Sequence, residues 1–297
     1  MTKVNSVLCM LLVPVLWSLT GMFARLTDWN GFALAGWRSL FSALFLWFAF
    51  KTLFKSQFSF DFSRLNILIA FMYSASSTCF MLSSQLTTVA NTVFLQTSAP
   101  LYIAILGPFI LKVKTQKKDI ALVALTFIGL AMFFLNDVSA EATTREFVGI
   151  ILGAICGLCW GMYLMLLKKL SFKGLPLSTM VIGNFLTVSY CLPFMLMVDM
   201  TSDGLFAKNL LWAAVLGMGP LGCSYILYIN AIRGVTALQA SLLQCLEPLL
   251  GPVWVYLLVR EVPGFWTFIG GGIILVVIII NSVLAARGKD IIPNRIS

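Results

Sequence analysis

Apolar runs of roughly 20 residues follow one another along almost the whole chain, the length an α-helix needs to cross about 30 Å of hydrocarbon. Ten spans are predicted, near residues 5–26, 31–51, 65–84, 90–111, 119–136, 147–167, 177–198, 209–230, 237–258 and 264–286. Lipid offers no hydrogen bonds to a backbone, so a chain written this way is confined to structures that satisfy their own amides. Composition agrees: of 297 residues, 60% are hydrophobic and 10% charged, where a soluble domain carries roughly a quarter charged. The links between spans, a few to about fifteen residues long, leave no room for a separate soluble domain. The first span follows Lys3 and has the outline of a signal peptide. It lacks an A-x-A cleavage pattern and ends in Met22-Phe23-Ala24-Arg25, so it is read as the first transmembrane helix.

One segment occurs twice. Shifted by 148 positions, Ala90-Asn91-Thr92-Val93-Phe94-Leu95-Gln96-Thr97-Ser98-Ala99-Pro100 falls on Leu238-Gln239-Ala240-Ser241-Leu242-Leu243-Gln244-Cys245-Leu246-Glu247-Pro248. Amides coincide at two places and proline coincides with proline. Leu16-Trp17-Ser18 likewise resembles Cys159-Trp160-Gly161. Ten spans then divide into two repeats, 1–140 and 141–297, of five helices each. An odd number of crossings inserts the second copy upside down, which predicts an all-α polytopic membrane protein of two inverted five-helix repeats around a central cavity. Duplicated, proline-interrupted spans in matching positions point to a transporter with its site between the repeats.

The net charge of +9 raises the question of a nucleic-acid surface, and its distribution answers it. With the N-terminus inside, fifteen basic residues fall on inner segments: Lys3, Lys51, Lys55, Arg64, Lys112, Lys114, Lys117, Lys118, Lys168, Lys169, Lys173, Arg233, Arg287, Lys289 and Arg295. Arg25, Arg145, Lys208 and Arg260 fall outside, and Arg38 lies within a span. This asymmetry predicts that both termini are cytoplasmic and that no nucleic acid is bound.

Histidine is absent, which removes the usual general base, the commonest transition-metal ligand and any Ser-His or Cys-His nucleophile. All seven cysteines fall inside predicted spans. Cys156 and Cys159 have redox-motif spacing, but among small residues in lipid they read as packing groups. No Gly-rich phosphate loop follows a strand. Neither metal nor cofactor is expected, nor an enzyme; a passive channel or structural membrane subunit is the alternative from another class.

Two ionisable side chains sit deep in spans, Arg38 and Glu247, each costing about 3 kcal/mol or more at the bilayer centre. They form either a fixed ion pair or part of a substrate- or proton-coupled site. Pro100 and Pro248 remove a backbone N–H and release the carbonyls of Gln96 and Gln244; gating kinks and simple packing kinks are both open. The other candidate cavity residues are Trp17, Thr20, Tyr73, Ser77 and Asn91 in the first half, with Trp160, Tyr163, Tyr225, Tyr228 and Gln239 in the second. Spans 2, 5, 7 and 10 are poorer in polar groups, so the expected walls are spans 1, 3, 4, 6, 8 and 9.

These residues resemble the EamA-type branch of the drug/metabolite transporter superfamily. Leu16-Trp17-Ser18, Ala35-Gly36-Trp37-Arg38 and the stretch from Ala90 to Pro100 are similar to the first half of that family. Tyr225-Ile226-Leu227-Tyr228-Ile229-Asn230-Ala231-Ile232-Arg233, Glu247-Pro248 and Arg260-Glu261 are similar to its second. Lys112-Val113-Lys114 replaces the acidic residue that closes the family's fourth helix, so Glu261 has no twin. The resemblance implies transport of small metabolites, often export of amino acids, across a bacterial inner membrane. Trp, Tyr, amides and charges of both signs suit a zwitterion with an apolar or aromatic part; S-adenosylmethionine or another nucleoside-like metabolite is the alternative. The expected partners are that small molecule and the bilayer, with the chain a monomer or weak homo-oligomer.

Overall fold

In the computed structural model, residues 3–24, 26–53, 59–87, 89–112, 116–134, 144–171, 177–198, 205–259 and 265–286 are described. The repeat boundary at 140/141, Glu261, and loop cations such as Lys55, Lys114, Lys173 and Arg260 lie outside them. The described residues are helical, without strands: α1 (Lys3–Ala24), α2 (Gly31–Leu53), α3 (Arg64–Leu86), α4 (Val89–Gln96), α5 (Ala99–Ile110), α6 (Lys117–Phe134), α7 (Thr144–Ser171), α8 (Leu177–Leu196), α9 (Leu205–Leu216), α10 (Ser224–Ala231), α11 (Ala237–Gln244), α12 (Leu246–Val259) and α13 (Phe265–Ala286). A π-helical segment, Gly217–Cys223, joins α9 to α10. Six stretches are long and apolar enough to cross a membrane, with shorter apolar helices at Asn5–Thr20 and Phe268–Leu284. Phe48 and Phe109 are 71% and 81% exposed, as expected where the surrounding solvent is lipid rather than water.

The fourth and ninth spans are each broken in two, at equivalent places. α4 ends at Gln96 and α5 starts at Ala99 with Pro100 in its first turn. α11 ends at Gln244, and α12 starts at Leu246 with Pro248 in its first turn. Proline lacks the N–H and its ring clashes with the carbonyl four residues earlier, whereas the first helical turn tolerates it. Each helix therefore stops just upstream and restarts. Across the breaks the bonds tighten to three-residue spacing: Ser98 N to Leu95 O at 3.2 Å, Leu101 N to Ser98 O at 2.9 Å, and Cys245 N to Leu242 O at 3.2 Å. Thr97 and Cys245 are 148 positions apart, the offset of the repeat.

Helix pairing is unchanged when the repeats are exchanged. α3 lies along α7 and, in the matching relation, α10 lies along α1; α2 pairs with α8 and α6 with α13. α7 carries Gly157 where the first break comes closest. A Cβ there would overlap the Leu95 carbonyl oxygen and the Ser98 hydroxyl, so glycine is what lets the interrupted helix lie against α7.

Candidate functional site

Where the two halves meet, a cavity of about 50 Å³ is lined by Trp17 and Thr20 of α1, Arg38 of α2, Tyr73, Ser76, Ser77 and Phe80 of α3, Gln96 of α4, Trp160 of α7, Leu221 and Tyr225 around the start of α10, and Glu247 of α12. That volume holds a few waters and must widen to admit a metabolite. Matching positions of the repeats face it: Ser77 and Tyr225 are 148 apart, as are Tyr73 and Leu221, and Trp17 and Trp160 occupy the shared first span.

The two indoles form the centre of an aromatic cluster. Trp17 meets Trp160 edge to face at 5.3 Å and stacks on Tyr228 at 6.3 Å, while Trp160 stacks on Tyr163 at 4.9 Å. Their N–H groups are held by side chains, Trp17 Nε1 donating to Ser224 Oγ at 2.6 Å and Trp160 Nε1 to Gln244 Oε1 at 2.9 Å. Tyr163, Tyr228 and Gln244 thus stand behind the lining rather than in it. The Tyr163 and Tyr228 hydroxyls and Gln244 Nε2 are buried without hydrogen-bond partners.

Arg38 and Glu247 both face the cavity, yet no ion pair joins them. Arg38 is 3% exposed. Its Nη2 donates to the Ser77 hydroxyl at 2.6 Å and the Ser77 carbonyl at 3.3 Å, and its Nε has no partner. Gln96 Oε1 is also buried and unpartnered. The cavity therefore presents unused donors on the α2 wall and unused acceptors on the two broken helices.

Asn91 and Gln239 do not reach the lining. Asn91 Nδ2 donates to Thr87 Oγ1 one turn back at 2.9 Å. Gln239 closes a capping box, its Oε1 accepting from Thr236 N at 2.9 Å while Thr236 Oγ1 accepts from Gln239 N at 3.1 Å. The motif Thr236-x-x-Gln239 is a recognised helix start and was available in the sequence. Pro100 and Pro248 adjoin the cavity through their breaks, each four residues beyond a broken-helix glutamine.

Sequence reasoning undervalued the second and seventh spans. Arg38 brings α2 into the lining. α8 carries a ladder of hydroxyls and amides along α3: Asn66 Nδ2 donates to Ser178 Oγ at 3.1 Å, and Thr179 donates to Asn66 Oδ1. Higher up, Tyr73 OH donates to Asn184 Oδ1 at 3.1 Å, Ser74 and Thr187 hydroxyls meet at 2.8 Å, and Tyr190 bonds both Ser74 and Thr78. Lys168, counted as a loop charge, is 3% exposed. Its Nζ donates to the carbonyls of Ile232 and Arg233 at 2.7 and 3.0 Å, and Arg233 Nε returns a bond to Ser171 O at 3.2 Å. Each cation caps the carbonyl end of the other's helix.

A helical membrane bundle, interrupted in matching spans and enclosing a polar cavity between its halves, is the architecture of a membrane transporter. The chain belongs to the EamA-like transporter family, whose model matches it twice, over residues 4–135 and 147–283. A relative from Archaeoglobus fulgidus described as an uncharacterized transporter is 22% identical over 275 residues, covering 89% of this chain and 92% of its own. A second protein of the same organism and description is 27% identical over 196 residues, 66% of this chain and 68% of its own. In fold, a solved crystal structure aligns with a TM-score of 0.76 over 96% of this chain and 98% of that one, at 14% identity.

Proposed function

We propose that this transporter exports an amino acid or related zwitterion by alternating access, in a bacterial inner membrane with both termini cytoplasmic. The observation that carries the substrate class is the pair of ionisable side chains of opposite type, buried Arg38 and half-buried Glu247, that face one cavity with no ion pair between them. Intramembrane ionisable groups that lack a structural partner mark a solute pathway. The surrounding indole and phenol rings suit an apolar or aromatic side chain. The inverted repeat supplies the mechanism, since exchanging the conformations of the halves turns one access side into the other. Fifteen basic residues on one side of the predicted topology against four on the other support the orientation.

The test is uptake and counterflow of labelled amino acids in proteoliposomes. Saturable uptake, accelerated by unlabelled amino acid inside the vesicle, is the expected result. Flux that rises linearly with concentration and ignores internal solute would identify a channel instead. S-adenosylmethionine belongs in the same panel, because its sulfonium and carboxylate would meet the same two charges.

A further inference from the structure

Four polar groups facing the cavity are left with bonding capacity unused, and they are sorted by sign. On one wall the Arg38 guanidinium donates through Nη2 to Ser77, and its Nε makes no bond. Guanidinium has five donors and no acceptor, so this wall is complementary to an anion, with the Ser77 hydroxyl beside it. On the broken helices, Glu247 brings a carboxyl group with no ion pair and Gln96 an unpartnered carbonyl oxygen. That side offers acceptors. Buried groups without partners carry the full desolvation penalty, larger for charged ones, and two of them, Arg38 Nε and Gln96 Oε1, belong to residues that line this cavity.

Resting on the transport reading above, we propose that Arg38 with Ser77 takes the anionic pole of the solute, and Glu247 with Gln96 its cationic pole. Both poles line one cavity, so a single small solute carries both charged groups. The arrangement also has a kinetic consequence. An empty cavity closes over an Arg38 guanidinium with no counter-ion and a Glu247 carboxyl group with no ion pair, whereas a loaded one closes over two satisfied pairs. Closing is therefore easier with solute aboard, and exchange of solute outpaces net release.

The test uses matched triads: L-leucine, 3-methylbutylamine and 4-methylpentanoate, then L-phenylalanine, 2-phenylethylamine and 3-phenylpropanoate. The remaining proteinogenic amino acids serve as competitors. Binding is read by thermal shift in detergent and flux in proteoliposomes. The intact zwitterion is expected to bind about tenfold or more tightly than either single-charge analogue. The variants should fail in crossed fashion: Arg38→Gln loses the preference over the amine, and Glu247→Gln the preference over the acid. Exchange should exceed net efflux in the wild type, and the ratio should fall in either variant. Ser77→Ala and Gln96→Leu, which remove no charge, should shift the same preferences in the same directions and stand in should a charge variant fail to fold. Equal affinity across a triad, or the same loss in both variants, overturns the assignment. Carriage of a singly charged or neutral metabolite, indifferent to all four variants, overturns it too and leaves transport standing. Crossed selectivity without any trans-stimulated flux keeps the poles and overturns the transporter mechanism.

Discussion

Exchange of the repeats carries the seam between α3 and α8 onto the seam between α2 and the span of α9 and α10, and the two are built differently. The first is bonded along its length, from Asn66 with Ser178 and Thr179 through Tyr73 with Asn184 to Tyr190 with Ser74 and Thr78. The second has small residues and a π-helical turn. Gly217 lies so close to α2 that a Cβ would overlap the Arg38 carbonyl oxygen, and a Cβ on Gly222 would overlap the Phe45 ring. The hydroxyl of Ser42 on α2, whose backbone adjoins Gly217, is buried with no partner. Directional bonds fix a register, whereas a close, bond-poor contact leaves a sliding surface. π-Turns also concentrate at functional sites, and this one leads directly into Leu221 and Tyr225 of the cavity. The fold is symmetric in its path and asymmetric in what holds the path together.

That contrast can be broken by substitution. The largest effect is expected at Gly217→Val, where the new side chain meets α2 backbone that cannot turn aside. Destabilisation of about 2–3 kcal/mol, or outright loss of folded protein, should appear in thermal unfolding in detergent. Asn66→Ala removes the most connected residue of the bonded seam and should cost about 1–2 kcal/mol by the same assay. A cost equal to that of Gly217→Val would erase the distinction between the seams. Tyr190→Phe keeps the ring and deletes the hydroxyl shared by Ser74 and Thr78, so a loss of about 0.6 kcal/mol is expected, typical of interhelical bonds in membranes. Smallest of all, Ser42→Ala removes a buried hydroxyl that bonds nothing and should leave stability unchanged or slightly raised. A clear loss at Ser42 would mean that the α2 seam is held by bonds after all.

The ten spans and the two interrupted helices were legible because both rest on covalent facts: run length against bilayer thickness, and a proline that cannot donate. Trp17, Gln96 and Trp160 at one cavity could be anticipated from the duplication, and Tyr73 and Glu247 from being polar groups within apolar spans. The ladder on α8 could not. A serine or threonine within an apolar helix usually bonds its own backbone, as Thr126 does to Leu122 O and Ser189 to Leu186 O. Nothing in the chain says that Thr179 and Thr187 face another helix until the helices are in register. Lys168 was misplaced for a related reason: a cation near a span end looks like an interfacial charge, and only the neighbouring helix end supplies the carbonyls that draw it inward. Gln239 differs, since its capping partner lies three residues away.

The edge-to-face pair of Trp17 and Trp160 gives the molecule an optical reporter of its own. Two indoles 5.3 Å apart at 76° are close enough for their excited states to couple, and one belongs to each repeat. Any rocking of one half against the other alters that separation or angle, and any solute entering the cavity touches the same rings. Near-ultraviolet circular dichroism and tryptophan emission should therefore follow loading and turnover without an attached dye. Against the six remaining tryptophans of the chain, the pair's signal is isolated by difference from Trp17→Phe and Trp160→Phe.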